Sequence, residues 1–409
     1  METDINLMTH EAIQKPYPIF RAMRETRPVH WNPSIKGWFL TRYSDIRKIL
    51  MDKDYSVEKM APFAAHGHGE MQDKIAFLTD VLGGWMVFKD PPSHTRLRRV
   101  MQEVFLSREI EKLRESVHRI SDTLLTKMEE KNQADGKVNL VWDYAFPLPA
   151  IVIGELCGVN ASEAERLKYW ADDISKFVLQ GRNTPDKYDR SHSALVECVD
   201  FYRTLVNERR KHPQDDIISR MIESPNTDQP LTDDEIISTL VLLLFAGHET
   251  TTNLIASGMF NLLQNPDQLK LLQNDPSLIP GAVEEFLRMD GPAATLVRIA
   301  LKPVEIDGQK IKAGDRLFLS LNASSHDPEK FDNPEELDVT REKCPHMAFG
   351  TGIHVCLGAA LARLEGQVAF RMLLERFHNF KMLDSEPEWR DELIARGLKT
   401  LPISFEVRS

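Results

Sequence analysis

The chain has 409 residues, of which 42% are hydrophobic and 28% are charged, and this composition excludes disordered, collagen-like and disulfide-scaffold proteins. Its 51 basic and 62 acidic side chains give a formal net charge of −11. That balance argues against a nucleic-acid-binding protein, because such proteins usually carry a strong basic surface. The four cysteines match no zinc-binding spacing and are too few for a disulfide framework, so each is first interpreted as a buried, inert thiol.

The N-terminal segment contains no apolar core of signal-peptide length. The strongest apolar runs, Ala145–Gly154 and Leu240–Gly247, are far shorter than the ~20 residues that a membrane-spanning helix needs. We therefore expect a cytoplasmic protein without a membrane anchor.

Helical periodicity dominates from about residue 90 to residue 290, and short strand patterns occur near Gly37–Thr41 and after residue 296. The Asp307-Gly308 pair inside Val304–Leu321 predicts a hairpin, and Leu401–Val407 predicts a last strand. The pattern predicts a mainly α protein with small β-sheets. It shows no obvious boundary between domains, so we expect one domain over residues 1–409.

The segment Asp90-Pro91-Pro92 predicts a helix start, with Asp90 as the N-cap and proline in the first turn. His94 and Arg98 are four residues apart and share one face of that helix. This face suits either a solvated basic surface or an anionic ligand.

A long helix is predicted to begin at the capping box formed by Thr232 and Glu235 and to continue to about Asn265. About 32 residues at ~1.5 Å each would make it roughly 48 Å long. Its apolar middle, Leu240–Gly247, predicts burial. The polar run His248–Thr252 follows at once, and buried polar groups in mid-helix need partners or a function.

This polar run permits two interpretations. Thr250 can bond back to the carbonyl of Ala246 and merely bend the helix. The same bend can open the helix for a ligand and its waters. A zinc-protease H-E-x-x-H is excluded, because Thr252 occupies the last position.

Glu285 and Arg288 form an E-x-x-R pair on a helix predicted to start near Pro280. Pairs at this spacing are common on helix surfaces and contribute only about 0.2–0.5 kcal/mol each. Taken alone, the pair therefore indicates little.

The ten residues from Phe349 to Gly358 read FGTGIHVCLG and precede a helical pattern. The glycines let the backbone turn tightly and approach a flat group closely. Cys356 lies just before the helix start, where N–H groups and the helix dipole favour a thiolate. A dinucleotide-binding G-x-G-x-x-G starting at Gly350 is excluded, because its last position is Val355.

Together these motifs resemble those of the cytochrome P450 superfamily, in its soluble bacterial type. FGTGIHVCLG matches every fixed position of the haem-thiolate loop F-x-x-G-x-[HR]-x-C-x-G. The motifs D-P-P-x-H-x-x-x-R, [AG]-G-x-[DE]-T and E-x-x-R occur in the family's order, and Arg341 completes the last. The resemblance covers nearly the whole chain. It implies a single cytochrome P450-type haem domain whose long central helix crosses the haem.

The resemblance implies haem b as the cofactor, with the Cys356 thiolate as the axial ligand of its iron. The cationic or donor groups implied for the haem propionates are His94, Arg98, Arg298 and His354. The other residues implied at the cofactor are Ala246, Phe349, Gly350 and Gly358.

Glu249 and Thr250 are implied as catalytic residues that relay protons for oxygen activation. A buried Glu285–Arg288–Arg341 network is implied as structural. The residues implied to contact substrate are apolar, which favours a hydrophobic small molecule; they are Trp85, Val87, Leu242, Phe245, Ala294, Leu296 and Leu398.

The activity implied is a monooxygenase that inserts one oxygen atom from O2 into a substrate C–H bond. No flavin or iron–sulfur region is recognised in the chain, so external ferredoxin and ferredoxin reductase are expected as electron donors. The basic residues expected to dock the ferredoxin are Arg99, Lys112, Lys343 and Arg363. A monomer is expected.

Three alternatives stay open at this stage. The first is a haem-binding sensor or carrier without turnover. The second is a peroxide-driven peroxygenase, which would not need the Glu249–Thr250 relay. The third is a non-haem enzyme that uses glutamate and histidine side chains.

Overall fold

The computed structural model describes residues 5–60, 69–160, 163–178, 186–224 and 229–408. Within these ranges the chain is mainly helical with small β-sheets, as predicted. Backbone packing divides it into two compact units. We call residues 1–55, 114–148 and 250–409 the cysteine unit, and residues 56–113 and 149–249 the helical unit. Because the units alternate along the sequence, no single cut separates them.

The described helices, in chain order, are α1 (His10–Gln14), α2 (Pro16–Thr26), α3 (Tyr43–Met51), α4 (Glu70–Gly83), α5 (Ser93–Val104), α6 (Ser107–Glu111), α7 (Arg114–Asp135), α8 (Pro147–Leu156), α9 (Ala164–Val178), α10 (Lys187–Lys211), α11 (Ile217–Glu223), α12 (Asp233–Gln264), α13 (Pro266–Asn274), α14 (Ile279–Met289), α15 (Leu321–Ser325) and α16 (Ala359–Arg376). Among the described residues, no helix combines the length and the apolar character that a membrane span requires.

The described strands are β1 (Val29–Asn32), β2 (Gly37–Leu40), β3 (Tyr55–Ser56), β4 (Val138–Asn139), β5 (Thr295–Ala300), β6 (Val304–Ile306), β7 (Gln309–Ile311), β8 (Arg316–Ser320), β9 (Phe377–Met382) and β10 (Pro402–Val407). The largest sheet has the order β1-β2-β8-β5-β3, in which β2 and β8 are parallel and the β1–β2 and β8–β5 pairs are antiparallel.

Both predicted C-terminal β features are confirmed. β6 and β7 form an antiparallel hairpin with Ile306 opposite Gln309. Asp307 and Gly308, at its turn, have φ of 51° and 73°, the left-handed values that a two-residue hairpin turn requires. The last strand, β10, pairs with β9 and β4 in a separate sheet.

Helix α12 has 32 residues, and its predicted capping box is present in the helical unit. The Thr232 hydroxyl accepts from the Glu235 N–H at 3.2 Å, and the Glu235 carboxylate accepts from the Thr232 N–H at 2.9 Å. These reciprocal bonds satisfy two donors at the helix end. The helix belongs to the helical unit through Glu249 and to the cysteine unit from Thr250 onwards.

In the cysteine unit, Gly258 lets α12 pack closely against α14 and α16. A Cβ atom at Gly258 would lie 2.6 Å from the ring of Phe370 on α16 and 2.9 Å from the ring of Phe286 on α14. Those two rings are themselves 4.7 Å apart between centroids. Helix α16, which follows Cys356, and helix α14, which carries Glu285, therefore pack against each other and against α12 at Gly258.

The predicted helix start at Asp90 is wrong. Helix α5 begins at Ser93 with Pro92 at its N-cap. The Asp90 carboxylate instead accepts from the Ser56 hydroxyl at 2.5 Å and from the Val57 N–H at 3.1 Å. Asp90 thus satisfies donors of a neighbouring segment of the helical unit, which local helix rules do not anticipate.

Candidate functional site

Cys356 lies at the end of a tight loop in the cysteine unit. The Cys356 N–H donates to the carbonyl of Phe349 at 2.8 Å, and the Val355 N–H donates to the carbonyl of Gly352 at 3.2 Å. Helix α16 begins at Ala359, directly after this loop. The thiol therefore lies near a helix N-terminus, where the dipole and free N–H groups stabilise an anion.

Two glycines of this loop differ in their surroundings. Gly352 has a φ of 75°, and a Cβ atom there would lie 2.6 Å from the carbonyl oxygen of Leu50. Gly358, by contrast, has no atom within 4 Å of the position that its Cβ would take. A flat group can therefore approach the start of α16 closely.

The surroundings of Cys356 fit a cofactor that is bound through sulfur and is largely apolar. Cys356 is exposed, and so are its neighbours Ile353 and Val355, at 53% and 39%. Apolar side chains in such a cluster are stabilised when something covers them. Thr250 is also exposed, although residues 251–259 of the same helix are all buried. The cysteine loop thus presents a thiol and apolar side chains to a potential ligand.

The other three cysteines are poor ligand candidates. Cys157 and Cys198 are buried in the helical unit. Burial raises the pKa of the Cys157 thiol to about 12 and raises the pKa of Cys198 further. Burial also raises the pKa of Cys344 to about 12. All three are therefore protonated near neutral pH and are typical of packing residues.

Strand β5 carries predicted site residues next to the cysteine loop. Leu296 Cδ1 lies 3.7 Å from the position that a Cβ atom at Gly350 would take. Arg298, two residues further on, is only 6% exposed, and its Nη1 donates to the carbonyl of Val297 at 3.0 Å. His354, in the loop itself, is half-buried. A largely buried guanidinium at this place suits a ligand that carries carboxylates.

The structure brings Glu285, Arg288 and Arg341 together in the cysteine unit. Arg288 Nε and Nη2 donate to the two carboxylate oxygens of Glu285, both at 2.7 Å, and Arg341 Nε donates to Glu285 Oε2 at 3.0 Å. Glu285 and Arg288 are completely buried. The remaining Arg288 donors reach the carbonyls of residues 325, 334 and 336. The network therefore fastens α14 to the segment between α15 and the cysteine loop.

The helical unit places His94 and Arg98 on α5. His94 is 2% exposed, and burial lowers its pKa, as does the neighbouring Arg98, while Asp90 partly offsets both. The His94 imidazole is therefore neutral at pH 7 and can donate an N–H to a ligand without adding charge. Glu249, near the middle of α12, is 7% exposed.

The predicted substrate-contact residues differ in exposure. In the helical unit, Trp85 is fully buried and stacks on Phe245 with 5.1 Å between ring centroids, whereas Val87 is 41% exposed. Leu242, on α12, is 5% exposed. Fully buried side chains act first as packing residues.

The cysteine unit contains the other predicted substrate-contact residues. Leu398 is fully buried, and its backbone forms an isolated antiparallel β-bridge with Trp389. Leu296 is half-buried. Ala294 is also half-buried, and its N–H donates to the carbonyl of Ile394 at 2.9 Å. The C-terminal segment 389–398 therefore packs beside the segment that leads into β5.

Sequence reasoning missed Glu365, which is a fully buried acid on α16. Its side chain is 1% exposed, hydrogen-bonds to Thr251 on α12, and has one oxygen, Oε2, without a hydrogen-bond partner. Burial raises the pKa of this carboxyl to about 8 despite the bond from Thr251. The available signal was one acid on the helix face shared by Leu361, Leu364 and Val368.

Glu365 should make stability depend on pH. The folded-state pKa of about 8 lies above the ordinary value of 4.5, so the folded protein binds one more proton between these values. The free energy of unfolding should therefore fall as pH rises from about 4.5 to 8. Glu365→Gln should remove this slope and be the more stable protein at pH 9, measured by urea unfolding. Glu375→Gln, at an exposed position of α16, is the control; a wild-type slope in Glu365→Gln would contradict the assignment.

Comparison with known proteins identifies the family. The family model described as cytochrome P450 matches residues 14–407. The chain is 38% identical over 399 residues to cytochrome P450 107B1 of Saccharopolyspora erythraea, covering 94% of this chain and 93% of that protein. It is 35% identical over 412 residues to the cytochrome P450 monooxygenase PikC of Streptomyces venezuelae, covering 98% and 94% of the two chains.

A solved structure agrees with these relatives. The structure of P450BioI, in complex with an acyl carrier protein ligated to hexadec-9Z-enoic acid, aligns with a TM-score of 0.89 and 34% identity. The alignment covers 97% of this chain and 99% of that one. The full-length family match, these relatives and the cysteine loop show that the chain belongs to the cytochrome P450 family, oxidoreductases that bind haem through a cysteine thiolate.

Proposed function

We propose that the protein is a haem-thiolate monooxygenase in which Cys356 provides the axial thiolate. The observation that carries the proposal is the exposed Cys356 thiol, held in a tight loop before α16 and surrounded by exposed apolar side chains. Haem, when bound, supplies the reductive activation of dioxygen and the oxidation of the substrate. The protein's own contribution is to hold the cofactor, orient the substrate and deliver protons.

Charged and donor side chains would hold the two haem propionates. The proposed partners are the guanidinium groups of Arg98 and Arg298 and the imidazoles of His94 and His354. Two carboxylates removed from water need such partners, since an uncompensated buried charge costs several kcal/mol. The burial of both Arg298 and His94 supports these roles, because buried polar side chains need hydrogen-bond partners.

Glu249 and Thr250 would deliver protons to the oxygen. The balanced reaction consumes one O2, two electrons and two protons and yields one hydroxylated substrate and one water, so protons must reach the site in each cycle. Thr250 is an exposed residue directly before the buried stretch 251–259 of α12, and Glu249 precedes it directly in the sequence. Glu249 would take up protons from solvent. The Thr250 hydroxyl would hydrogen-bond to the oxygen that receives them.

The proposed substrate is a hydrophobic small molecule. The half-buried apolar residues Phe245, Ala294 and Leu296 support this class. Relatives are named for polyketide biosynthesis and as a vitamin D(3) 25-hydroxylase. External ferredoxin and its reductase are proposed as the electron donors. A cytoplasmic location, a monomeric state and a single haem domain stay predictions.

Thr250→Ala should uncouple electron use from product formation. Loss of the hydroxyl removes a hydrogen bond needed for proton delivery, and such groups typically contribute about 10²–10⁴-fold. With a ferredoxin, its reductase and a substrate that shifts the spin state, we expect similar NADPH consumption and at least about tenfold less product per electron. Thr250→Ser should restore most of the coupling.

Thr239→Ala is a matched control on the same helix. The hydroxyl of Thr239 donates to the carbonyl of Glu235 at 2.7 Å and serves only the helix backbone. This variant should couple like the wild-type protein. Full coupling in Thr250→Ala would overturn the relay assignment, and product formation from hydrogen peroxide alone, equal in both proteins, would favour a peroxygenase.

A further inference from the structure

Four side chains form a cluster that includes the first residue of the cysteine loop, which we call the Arg363 cluster: Arg363, Glu284, His346 and Phe349. Arg363 Nε and Nη2 donate to the two oxygens of Glu284 at 2.7 and 2.8 Å. His346 Nε2 lies 3.2 Å from Glu284 Oε2. The guanidinium carbon of Arg363 lies 4.5 Å from the centroid of the Phe349 ring. The cluster therefore combines a two-point ion pair with a cation–π contact.

The hydrogen bonds within the cluster determine the tautomer of His346 and the charge of Glu284. His346 Nδ1 accepts from the Ala348 N–H at 3.1 Å, so Nε2 carries the hydrogen and donates to Glu284. Burial alone would raise the pKa of Glu284, but the bonds from Arg363 and His346 lower it to about 2. The carboxylate is therefore ionised throughout the working pH range. Because both of its oxygens are engaged by Arg363, it fixes the direction of the guanidinium plane.

The cluster is linked to both ends of the cysteine loop. Phe349 begins the loop, and its carbonyl accepts from the N–H of Cys356 at 2.8 Å. Arg363 lies on α16, two turns after Cys356, and Glu284 lies on α14 next to the buried Glu285. The charge of Cys356 contributes, after the larger effects of Glu284, to raising the pKa of Arg363. Through Phe349, Arg363 is thus connected to the backbone hydrogen bond that closes the loop at Cys356.

We propose that Arg363 is a positioning residue that holds the Phe349 ring under the cysteine loop and, with Glu284, sets the charge beside the sulfur. The reduction potential of haem bound there would depend on this pair, since charges close to a ligating sulfur tune the metal. This inference rests on the proposed role of Cys356. It also changes the predicted role of Arg363, whose charge is paired with Glu284 rather than offered to a ferredoxin.

The test compares charge changes of opposite sign in the haem-loaded protein. Arg363→Gln removes a positive charge and leaves Glu284 ionised. The oxidised haem should therefore be stabilised relative to the reduced haem, which lowers the reduction potential. Glu284→Gln removes a negative charge. The reduced haem should therefore be stabilised relative to the oxidised haem, which raises the reduction potential. In a spectroelectrochemical titration, each variant should change the ratio of reduced to oxidised haem at a fixed potential by at least threefold, in opposite directions. Threefold corresponds to about 28 mV for a one-electron couple.

Two further variants separate charge from geometry. Arg363→Lys keeps the charge but loses the planar stack and the two-point pairing. We expect a nearly wild-type potential and a faster conversion of the reduced carbon monoxide complex to an ordinary haem spectrum in dilute urea. Arg371→Gln, on the exposed part of α16, should change neither property.

The outcomes distinguish the inference from the proposed function. A wild-type protein without the red-shifted thiolate spectrum would refute the role of Cys356 itself. A wild-type thiolate spectrum with potentials that shift in the same direction, or not at all, would refute the inference alone. An unchanged potential in Arg363→Gln with a salt-sensitive rise in the KM for ferredoxin would return Arg363 to a docking role.

Discussion

Replacing Cys356 with alanine is expected to abolish the red-shifted carbon monoxide spectrum of the reduced protein and to reduce product formation at least about 1,000-fold. In the haem-loaded protein, the Cys356 thiolate would supply the electron density that haem-thiolate chemistry requires. A thousandfold loss corresponds to about 4 kcal/mol of transition-state stabilisation. The measurement is the reduced carbon monoxide spectrum, followed by product formation with saturating electron donors.

Cys344→Ser is the matched control for this experiment. Cys344 is half-buried in the same unit, and its sulfur lies 3.5 Å from the carbonyl oxygen of Glu284, a contact that a serine hydroxyl can also make. This variant should keep both the spectrum and the activity. A red-shifted spectrum that persisted in Cys356→Ala would show that another group ligates the iron and would refute the proposed site.

Arg288→Ala is expected to destabilise the protein by about 3–5 kcal/mol. Glu285 and Arg288 are 0% exposed, and the substitution leaves the Glu285 carboxylate buried with Arg341 as its one cationic partner, beside one backbone N–H and the weak donor Cys344 Sγ at 3.7 Å. Removing one member of a buried ion pair typically costs this much, because the remaining charge cannot regain its hydration. The measurement is the urea midpoint of the haem-loaded protein, together with the yield of holoprotein.

An exposed arginine on another helix of the cysteine unit provides the comparison. Arg371→Ala breaks a pair with Glu375 in which both side chains are at least 41% exposed, and it removes one hydrogen bond to the carbonyl of Pro276. Pairs of this kind contribute about 0–1 kcal/mol, so its midpoint should stay close to that of the wild-type protein. Equal effects of the two substitutions would mean that the buried network does not fasten α14 as described.

Features that depend on residues close together in sequence were predicted well. The capping box of α12, the Asp307-Gly308 hairpin and the loop that ends at Cys356 follow from patterns within about ten residues. Their physics is local, because a turn, a cap or a glycine loop is decided by backbone angles and hydrogen bonds between neighbours. The mainly α composition follows in the same way from the long 3.6-residue periodicity between residues 90 and 290.

The features that the sequence did not reveal depend on partners that lie far away in the sequence. Local sequence rules predict Asp90 as an N-cap. Its carboxylate instead accepts hydrogen bonds from Ser56 and Val57, more than 30 residues earlier. The pairing of Arg363 with Glu284, which lies 79 residues away, was not visible in the sequence, and the docking role expected of Arg363 stays a prediction. Glu365 lies on an ordinary helix, and only the packing of α16 against α12 makes it a buried acid with a raised pKa.

For this chain, then, the amino-acid pattern was sufficient for the family and for the mainly α fold class, because the family rests on short motifs with few alternatives and the fold class on a long helical periodicity; Cys356 as the ligand stays a prediction. The tertiary structure was needed for burial, for ion-pair partners and for protonation states. Those properties depend on which helices pack together, since desolvation and charge pairing act over a few ångströms in space, however far apart the residues are in the sequence.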